Sequence, residues 1–170
     1  LSVLYRSRIP WLVTLVFVNI FSGAGIAYFD TLIGSFVALV FFLPLLIASG
    51  GNAGAQSATL VIRGMALGEL TLKDFMKVLW REIVVSLSLG LSMSAAVFFL
   101  AWRRGGLRIG VVAAISMTLI VVCGSLIGMT LPFILRKLKI DPAVASSPLV
   151  TSLADILGVF IYLGIASALL

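Results

Sequence analysis

Long apolar intervals, separated by short polar segments, dominate the pattern of this chain. Each interval covers at least the roughly 20 residues that a helix needs to cross the hydrocarbon core of a bilayer. None of them alternates apolar and polar positions as the strands of a membrane barrel do. The pattern therefore predicts an all-α membrane protein, a bundle of five transmembrane helices. The predicted spans cover about residues 9–29, 31–62, 72–102, 109–135 and 142–170.

Two of the polar segments carry signals for the start of a helix. Thr71 is followed three residues later by Asp74, which is the spacing of a capping box. Asp141 directly precedes Pro142, an order typical of an N-cap followed by proline at the first helical position. We therefore expect the third span to begin near Leu72, with residues 72–82 extending into the interface, and the fifth to begin near Pro142.

The composition of the chain indicates the same class of protein and argues against an enzyme. Apolar residues make up 62% and charged residues 11%, against about 45–50% and 25% in soluble domains. The chain has no histidine, which excludes imidazole catalysis and histidine-ligated metals within it, and its one cysteine, Cys123, lies in an apolar run. Intramembrane aspartyl proteolysis typically uses a Gly-x-Gly-Asp sequence, whereas Ser152-Leu153-Ala154 precedes Asp155. We expect no enzymatic activity.

The net charge of +6 reflects membrane orientation rather than nucleic-acid binding. The basic residues stand at the ends of the apolar runs, where they mark the cytoplasmic side of a membrane protein. A cytoplasmic amino terminus and an outer carboxyl terminus place nine of them inside and three outside. The inner group is Arg6, Arg8, Arg63, Lys73, Lys77, Arg81, Arg136, Lys137 and Lys139, and the outer group, a local exception to the rule, is Arg103, Arg104 and Arg108.

Asp155 is the ionisable residue that lies deep inside a predicted span. An aspartate at that depth costs about 2.5–3.5 kcal/mol on insertion scales, and no Lys or Arg is placed to neutralise it. Thr151 and Ser147 precede it by four and eight residues, so one helical face carries a polar stripe that ends at the carboxylate. This pattern favours an ion pathway. The alternative is a protonated Asp155 hydrogen-bonded to a neighbouring helix, with the hydroxyls joining helices.

The second span contains eleven consecutive residues without a bulky side chain, 49–59. Asn52 and Gln56 stand one turn apart on the face that also carries Ala48, and their amides either join helices or line an aqueous path. The segment Gly50-Gly51 could kink this helix.

Glycines at a spacing of four residues occur in two of the spans. Gly50 and Gly54 have this spacing in the second span, and Gly124 and Gly128 repeat it in the fourth. Such pairs are typical of closely packed membrane helices, and we expect both to be packing faces.

A single carboxylate per chain restricts the ion that Asp155 can serve. It cannot enclose a bare divalent cation, which needs six or more oxygen ligands. Two chains on a twofold axis would place two Asp155 residues on one path, and these oxygens suit a cation that keeps most of its water, as Mg²⁺ does. The residues alone leave any hydrated divalent or monovalent cation open. A secondary transporter that uses Asp155 as a proton-coupled site and a purely structural subunit remain alternatives to a pore.

Two segments carry a family resemblance. The segment from Pro44 to Thr59, which includes Ser49-Gly50-Gly51-Asn52, and the segment from Pro148 to Asp155 resemble the signatures of the MgtE family of bacterial magnesium channels. The resemblance covers the chain as that family's five-helix membrane domain. It implies a homodimeric, Mg²⁺-selective pore in the bacterial cytoplasmic (inner) membrane, lined by the second and fifth helices and passing hydrated Mg²⁺ into the cytoplasm.

The same resemblance implies roles for single residues. Asp155 would bind the ion, and Asp141 would lie near gating ions on the cytoplasmic side. Mg²⁺ is the expected permeant and bound ion, for which Mn²⁺, Co²⁺ or Ca²⁺ could substitute. The residues expected to line the pore are Ser147, Thr151, Ala48, Gly51, Asn52 and Gln56.

The expected partners are a second copy of the chain and the lipid bilayer, with no nucleic acid. The chain begins at Leu1 without an initiator methionine, and we expect it to be part of a longer protein. The resemblance implies that the cytosolic Mg²⁺-sensing domains of the family, including a paired CBS module, belong to that longer protein and are absent from these residues.

Overall fold

The computed structural model describes the backbone of residues 2–170 and the side chains of residues 5, 6, 9, 10, 12–142 and 147–170. Arg8, which belongs to the predicted inner charge group, therefore has its side chain outside the described residues. Every regular element in the described part is helical. The elements are α1 (Ser2–Tyr28), α2 (Asp30–Ser35), α3 (Ala38–Ala66), the 3₁₀ turn η1 (Leu72–Asp74), α4 (Phe75–Lys137) and α5 (Pro142–Leu169).

Helix α4 folds back on itself. Its 63 residues would extend about 95 Å if straight, roughly three times the thickness of the hydrocarbon core. The helical geometry is interrupted at Gly106, where φ is 85° and ψ is 175°, a conformation that glycine adopts readily. The two arms, 75–105 and 107–137, lie side by side, with Gly90 against Thr118 and Gly110 against Phe98.

With α4 counted as two arms, the described chain has five long helical segments, the number predicted. Helices α3, α4 and α5 are each long and apolar enough to cross a membrane. This length and composition support a membrane protein. The predicted third span begins in η1 and continues through the first arm of α4, and the predicted fourth span falls within the second arm.

The second predicted span is divided near its start. Between α2 and α3, Phe36 has φ −130° and ψ 68°, which ends the first short helix. No proline or charged residue marks this break in the sequence, so the prediction of one interval over 31–62 missed it. Helix α3 then runs without interruption from Ala38 to Ala66, and Gly50-Gly51 therefore does not break it.

The predicted capping box before α4 is confirmed. One carboxylate oxygen of Asp74, Oδ2, accepts hydrogen bonds from the Thr71 backbone N–H at 2.8 Å and from the Thr71 hydroxyl at 2.7 Å. The hydroxyl bond, the backbone bond and the nearby Lys77 ammonium lower the pKa of the Asp74 carboxyl because each favours its ionised form. The helical structure accordingly begins at Leu72 and continues into α4.

The core of the bundle lies between α3, α4 and α5, which pack against one another, while α1 packs on α5. Fully buried side chains from the three inner helices include Leu46, Met117 and Leu163. Tyr162 of α5 is also fully buried, and its hydroxyl donates a hydrogen bond of 3.1 Å to the Leu39 carbonyl. This bond joins α5 to the beginning of α3.

Helix α3 and the second arm of α4 are in backbone contact through glycines. A Cβ placed on Gly124 would overlap the Gly50 carbonyl, and one placed on Gly128 would overlap the Gly54 carbonyl. Because Gly50 faces Gly124 and Gly54 faces Gly128, the residue numbers increase in the same direction along both helices, and the two helices run parallel. The two packing faces expected from the spacing of the glycines are confirmed, and they form a single interface.

Candidate functional site

Helices α3 and α5 are in close contact at Gly51. A Cβ placed on this residue would lie 3.1 Å from Thr151 Cγ2 and 3.4 Å from Asp155 Oδ1. Further along, Gly158 of α5 faces Ile47 of α3, so the two helices run antiparallel. The missing side chain of Gly51 allows the polar face of α5 to lie directly against α3.

The predicted polar stripe of α5 leads along the helix to Asp155. Ser147 is exposed, while Thr151 and Asp155 are half-buried, and the eight steps from Ser147 to Asp155 cover about 12 Å along the helix. The Thr151 hydroxyl donates a hydrogen bond of 2.9 Å to the Ser147 carbonyl. Its oxygen retains lone pairs that can accept a hydrogen bond from water. The stripe therefore offers acceptor oxygens along its length.

The Asp155 carboxylate has no protein partner in the described part of the chain. Neither a hydrogen bond nor an ion pair engages it among those residues. The bond to a neighbouring helix that a structural role for Asp155 requires is thus not recorded there. A half-buried carboxylate in an apolar bundle stays ionised only when water or a cation solvates it.

The amides predicted on the second span face away from the core. Ala48, Asn52 and Gln56 are exposed, whereas Gly51 is buried at the contact with α5. Because α3 and α5 are antiparallel and meet at Gly51, Asn52 lies at about the depth of Asp155. Amides without partners are unfavourable in lipid, and no hydrogen bond engages either side chain within the described residues.

These residues form one face of the bundle. Gly50 and Gly54 are the residues of α3 that turn towards α4, so the exposed amides point to the opposite side. The stripe of α5 borders the same side through Gly51. We call this face the α3–α5 polar surface, and it consists of Ala48, Asn52, Gln56, Ser147, Thr151 and Asp155.

Asp141 does not join the other candidate residues. It is exposed at the position before α5 begins, and the 14 residues to Asp155 correspond to about 21 Å along the helix. It lies towards the end of α5 that also carries Ser147. Among the described residues, no three histidine, cysteine or acidic side chains converge on one point.

The sequence did not reveal the contact between Gly51 and the face of α5. Gly51 was expected among the pore-lining residues, which stays a prediction, and the structure places it at the contact with α5, beside Thr151 and Asp155. Nearby, a Cβ on Gly54 would lie 2.7 Å from Val150 Cγ1. Such contacts depend on the register of two helices that are about 100 residues apart in the chain, and no local pattern encodes that register.

A family model matches this chain over the same helices. The model is MgtE, described as a divalent cation transporter, and it covers residues 43–165, which include most of α3, α4 and α5. The chain belongs to the MgtE family. The resemblance seen in the two signature segments is therefore confirmed.

Three proteins named Magnesium transporter MgtE are similar to this member of the family. The protein of Bacillus subtilis is 42% identical over 166 residues, which are 96% of this chain and 36% of that protein. The protein of Thermus thermophilus is 39% identical over 98% of this chain, which corresponds to 37% of that protein. The protein of Enterococcus faecalis is 31% identical over 94% of this chain, which corresponds to 36% of that protein. The chain thus spans little more than a third of the length of these relatives.

Proposed function

We propose that two copies of this chain form a pore that passes hydrated Mg²⁺ past Asp155 into the cytoplasm. The observation that carries the proposal is the half-buried carboxylate of Asp155, which has no partner among the described residues and lies beside Gly51, the sequence neighbour of the exposed Asn52. The relatives named as magnesium transporters support Mg²⁺ as the ion. Mn²⁺, Co²⁺ and Ca²⁺ are ions that the same oxygen ligands could accept.

Asp155 would bind the ion through its water. Mg²⁺ holds its water ligands at about 2.0–2.1 Å and releases them reluctantly. A carboxylate that accepts a hydrogen bond from one of these waters then lies about 4–5 Å from the metal. The Asn52 amide oxygen and the Thr151 hydroxyl oxygen supply further acceptors at the same depth. Recognition of the hydrated ion thus needs no cluster of direct protein ligands.

A second copy of the chain would complete the path. The α3–α5 polar surface lies on the outside of a single bundle, where lipid cannot satisfy its amides and carboxylate. A twofold axis along this surface would bring two such faces together and close an aqueous path between them. Two ionised Asp155 residues would match the charge of one Mg²⁺ ion.

The membrane potential would drive inward transport. With the amino terminus in the cytoplasm, α5 runs outwards, so Ser147 and Asp141 lie on the cytoplasmic side of Asp155. Moving the two charges of Mg²⁺ inwards across 100 mV releases about 4.6 kcal/mol. This energy suffices for uptake in a passive pore in the bacterial inner membrane, without coupling to protons.

Flux measurements on Asp155→Asn test the function. The chain is reconstituted into liposomes that contain a Mg²⁺-sensitive dye, and uptake follows an imposed potential. Loss of a charged hydrogen bond worth about 1.5–3 kcal/mol predicts a decrease of about tenfold or more. Asp30→Asn, which alters an exposed acid in the first turn of α2, serves as the matched control and should keep the wild-type rate.

The outcomes separate the pore from its alternatives. Undiminished Mg²⁺ uptake by a folded Asp155→Asn protein contradicts the role of this carboxylate. Uptake that requires a pH gradient, rather than a potential alone, would favour the proton-coupled transporter. Unitary conductance steps in planar bilayers would favour the pore.

A further inference from the structure

A groove that the proposed ion path does not use lies at the end of the bundle where α4 turns back. It has a volume of about 660 Å³ and lies between the beginning of α3 and the end of the first arm of α4. Phe42 is buried, whereas the other side chains that line it are exposed. We call it the arginine groove, lined by Phe41, Phe42, Phe99, Leu100, Arg103 and Arg104.

The groove lies at the depth of lipid headgroups. Trp102 is exposed directly before Arg103, and tryptophans of membrane proteins concentrate at the interface between headgroups and hydrocarbon. Phe99 is about one helical turn before Arg103, so the aromatic wall extends from this interface into the hydrocarbon region. The arginines thus lie at the level of phosphates, whichever side of the membrane they face.

One of the two arginines is fixed over the aromatic wall. The guanidinium carbon of Arg104 lies 3.8 Å from the centroid of the Phe41 ring, a distance typical of a cation–π contact. No hydrogen bond engages the N–H groups of Arg104 among the described residues, so they remain available to donate. Arg104 is therefore held ready to bind an anionic oxygen.

Neither arginine has an acidic partner in the part of the chain that the structure describes. No ion pair is formed there by Arg103 or Arg104, so two positive charges border an apolar groove. Both also belong to the outer group of basic residues that runs against the predicted orientation. Positive charge does nothing to attract a metal cation, and the proposed pore leaves these residues unexplained.

We propose that the arginine groove binds an acidic glycerophospholipid. The guanidinium groups of Arg103 and Arg104 hold the phosphate, since arginine matches the geometry of phosphate oxygens, and an acyl chain lies against Phe41, Phe99 and Leu100. The unpaired positive charge favours a headgroup with net negative charge over a zwitterionic one. The apolar wall favours a lipid over free phosphate.

Native mass spectrometry of the purified, folded chain in detergent tests this site. The protein is titrated with phosphatidylglycerol and, separately, with phosphatidylcholine that has the same acyl chains. We expect about tenfold tighter binding of phosphatidylglycerol, because phosphatidylcholine has the same phosphate but also carries a quaternary ammonium cation that the two guanidinium groups repel. The variant Arg103→Gln/Arg104→Gln should lose this preference, and Arg103→Lys/Arg104→Lys should keep part of it.

Arg108→Gln is the matched control because Arg108 is exposed on the second arm of α4 and does not line the groove. It should bind phosphatidylglycerol as the wild type does. Equal binding of the two lipids by the wild type overturns the proposal, as does an unchanged preference in the double glutamine variant. Tight binding of soluble glycerol phosphate would show that the site serves free phosphate, which overturns the assignment to a lipid. A double variant that loses dimers rather than lipid would show that a second copy covers the groove, which also overturns it.

Discussion

Gly51 and the Asp155 carboxylate meet near the middle of helices α3 and α5, where a Cβ on Gly51 would lie 3.4 Å from Asp155 Oδ1. A larger residue at position 51 would separate the helices or cover the acid. The glycine therefore lets an ionisable group lie at a helix contact and still remain half-exposed. This pair links the packing of the bundle to the proposed ion path.

Gly51→Ala should reduce Mg²⁺ flux more than it reduces stability. The new methyl group would lie 3.1 Å from Thr151 Cγ2, so the Thr151 side chain must give way by a few tenths of an ångström, and it would place apolar surface beside Asp155. We expect a flux several-fold below wild type and a larger loss in Gly51→Val, with reconstituted liposomes as the assay. Gly164→Ala, which meets open space in α5, is the control. Wild-type flux in Gly51→Val would contradict the assigned geometry.

Gly124→Ala should act on stability first. Its Cβ would overlap the Gly50 carbonyl, which is backbone and cannot turn aside. Overpacking of this kind costs about 1–3 kcal/mol and sometimes more. Thermal unfolding in detergent should show a clearly lowered midpoint, whereas Gly23→Ala on α1, with nothing within 4 Å, should leave it unchanged. Equal midpoints for the two variants would exclude the close contact of α3 with α4.

Tyr162→Phe should weaken the junction of α5 with α3. The hydroxyl that this change removes donates to the Leu39 carbonyl at 3.1 Å in a fully buried position, and such a bond contributes about 0.5–1.5 kcal/mol. Chemical denaturation should reveal a loss of that size. Tyr28→Phe, at a tyrosine that is 79% exposed, controls for the chemistry of the change, and a similar loss there would contradict the assignment.

A low pH should destabilise the beginning of α4, because it protonates the Asp74 carboxylate. Its pKa is lowered by the Thr71 hydroxyl, then by the Thr71 backbone and Lys77, so the folded state favours the ionised carboxyl. This contribution to stability is present above the unfolded pKa of about 3.9 and is lost as the pH falls through the lower folded pKa. Unfolding midpoints should therefore fall more between about pH 5 and about pH 3 in wild type than in Asp74→Asn. Parallel pH curves would contradict this role.

Local signals in the sequence predicted the helical framework well. Apolar intervals gave the number of long helices, and the spacing of Thr71 and Asp74 gave the start of one. The glycine pairs correctly indicated packing faces, because close backbone contact needs small residues wherever the partner helix comes from. Each of these features depends on residues within a few turns of one another.

Features without a local sequence signal, and those that depend on how distant helices pack together, could not be predicted from the sequence. The break at Phe36 has no proline or charge to mark it. The bond from Tyr162 to Leu39 joins residues 123 positions apart, and the contact of Gly51 with Asp155 also arises only when α3 and α5 pack together. Asp155 itself was found because an acid in an apolar span is unusual by composition alone.

Anomalous diffraction from crystals of the proposed dimer soaked in Mn²⁺ tests the central claim most directly. If Asp155 holds a hydrated cation, a peak should appear near the twofold axis, about 4–5 Å from the carboxylate oxygens, as one intervening water requires. The peak should be absent from Asp155→Asn crystals soaked in the same way. A wild-type crystal with Mn²⁺ bound elsewhere and none beside Asp155, or with the metal in direct contact with the carboxylate, would contradict the account.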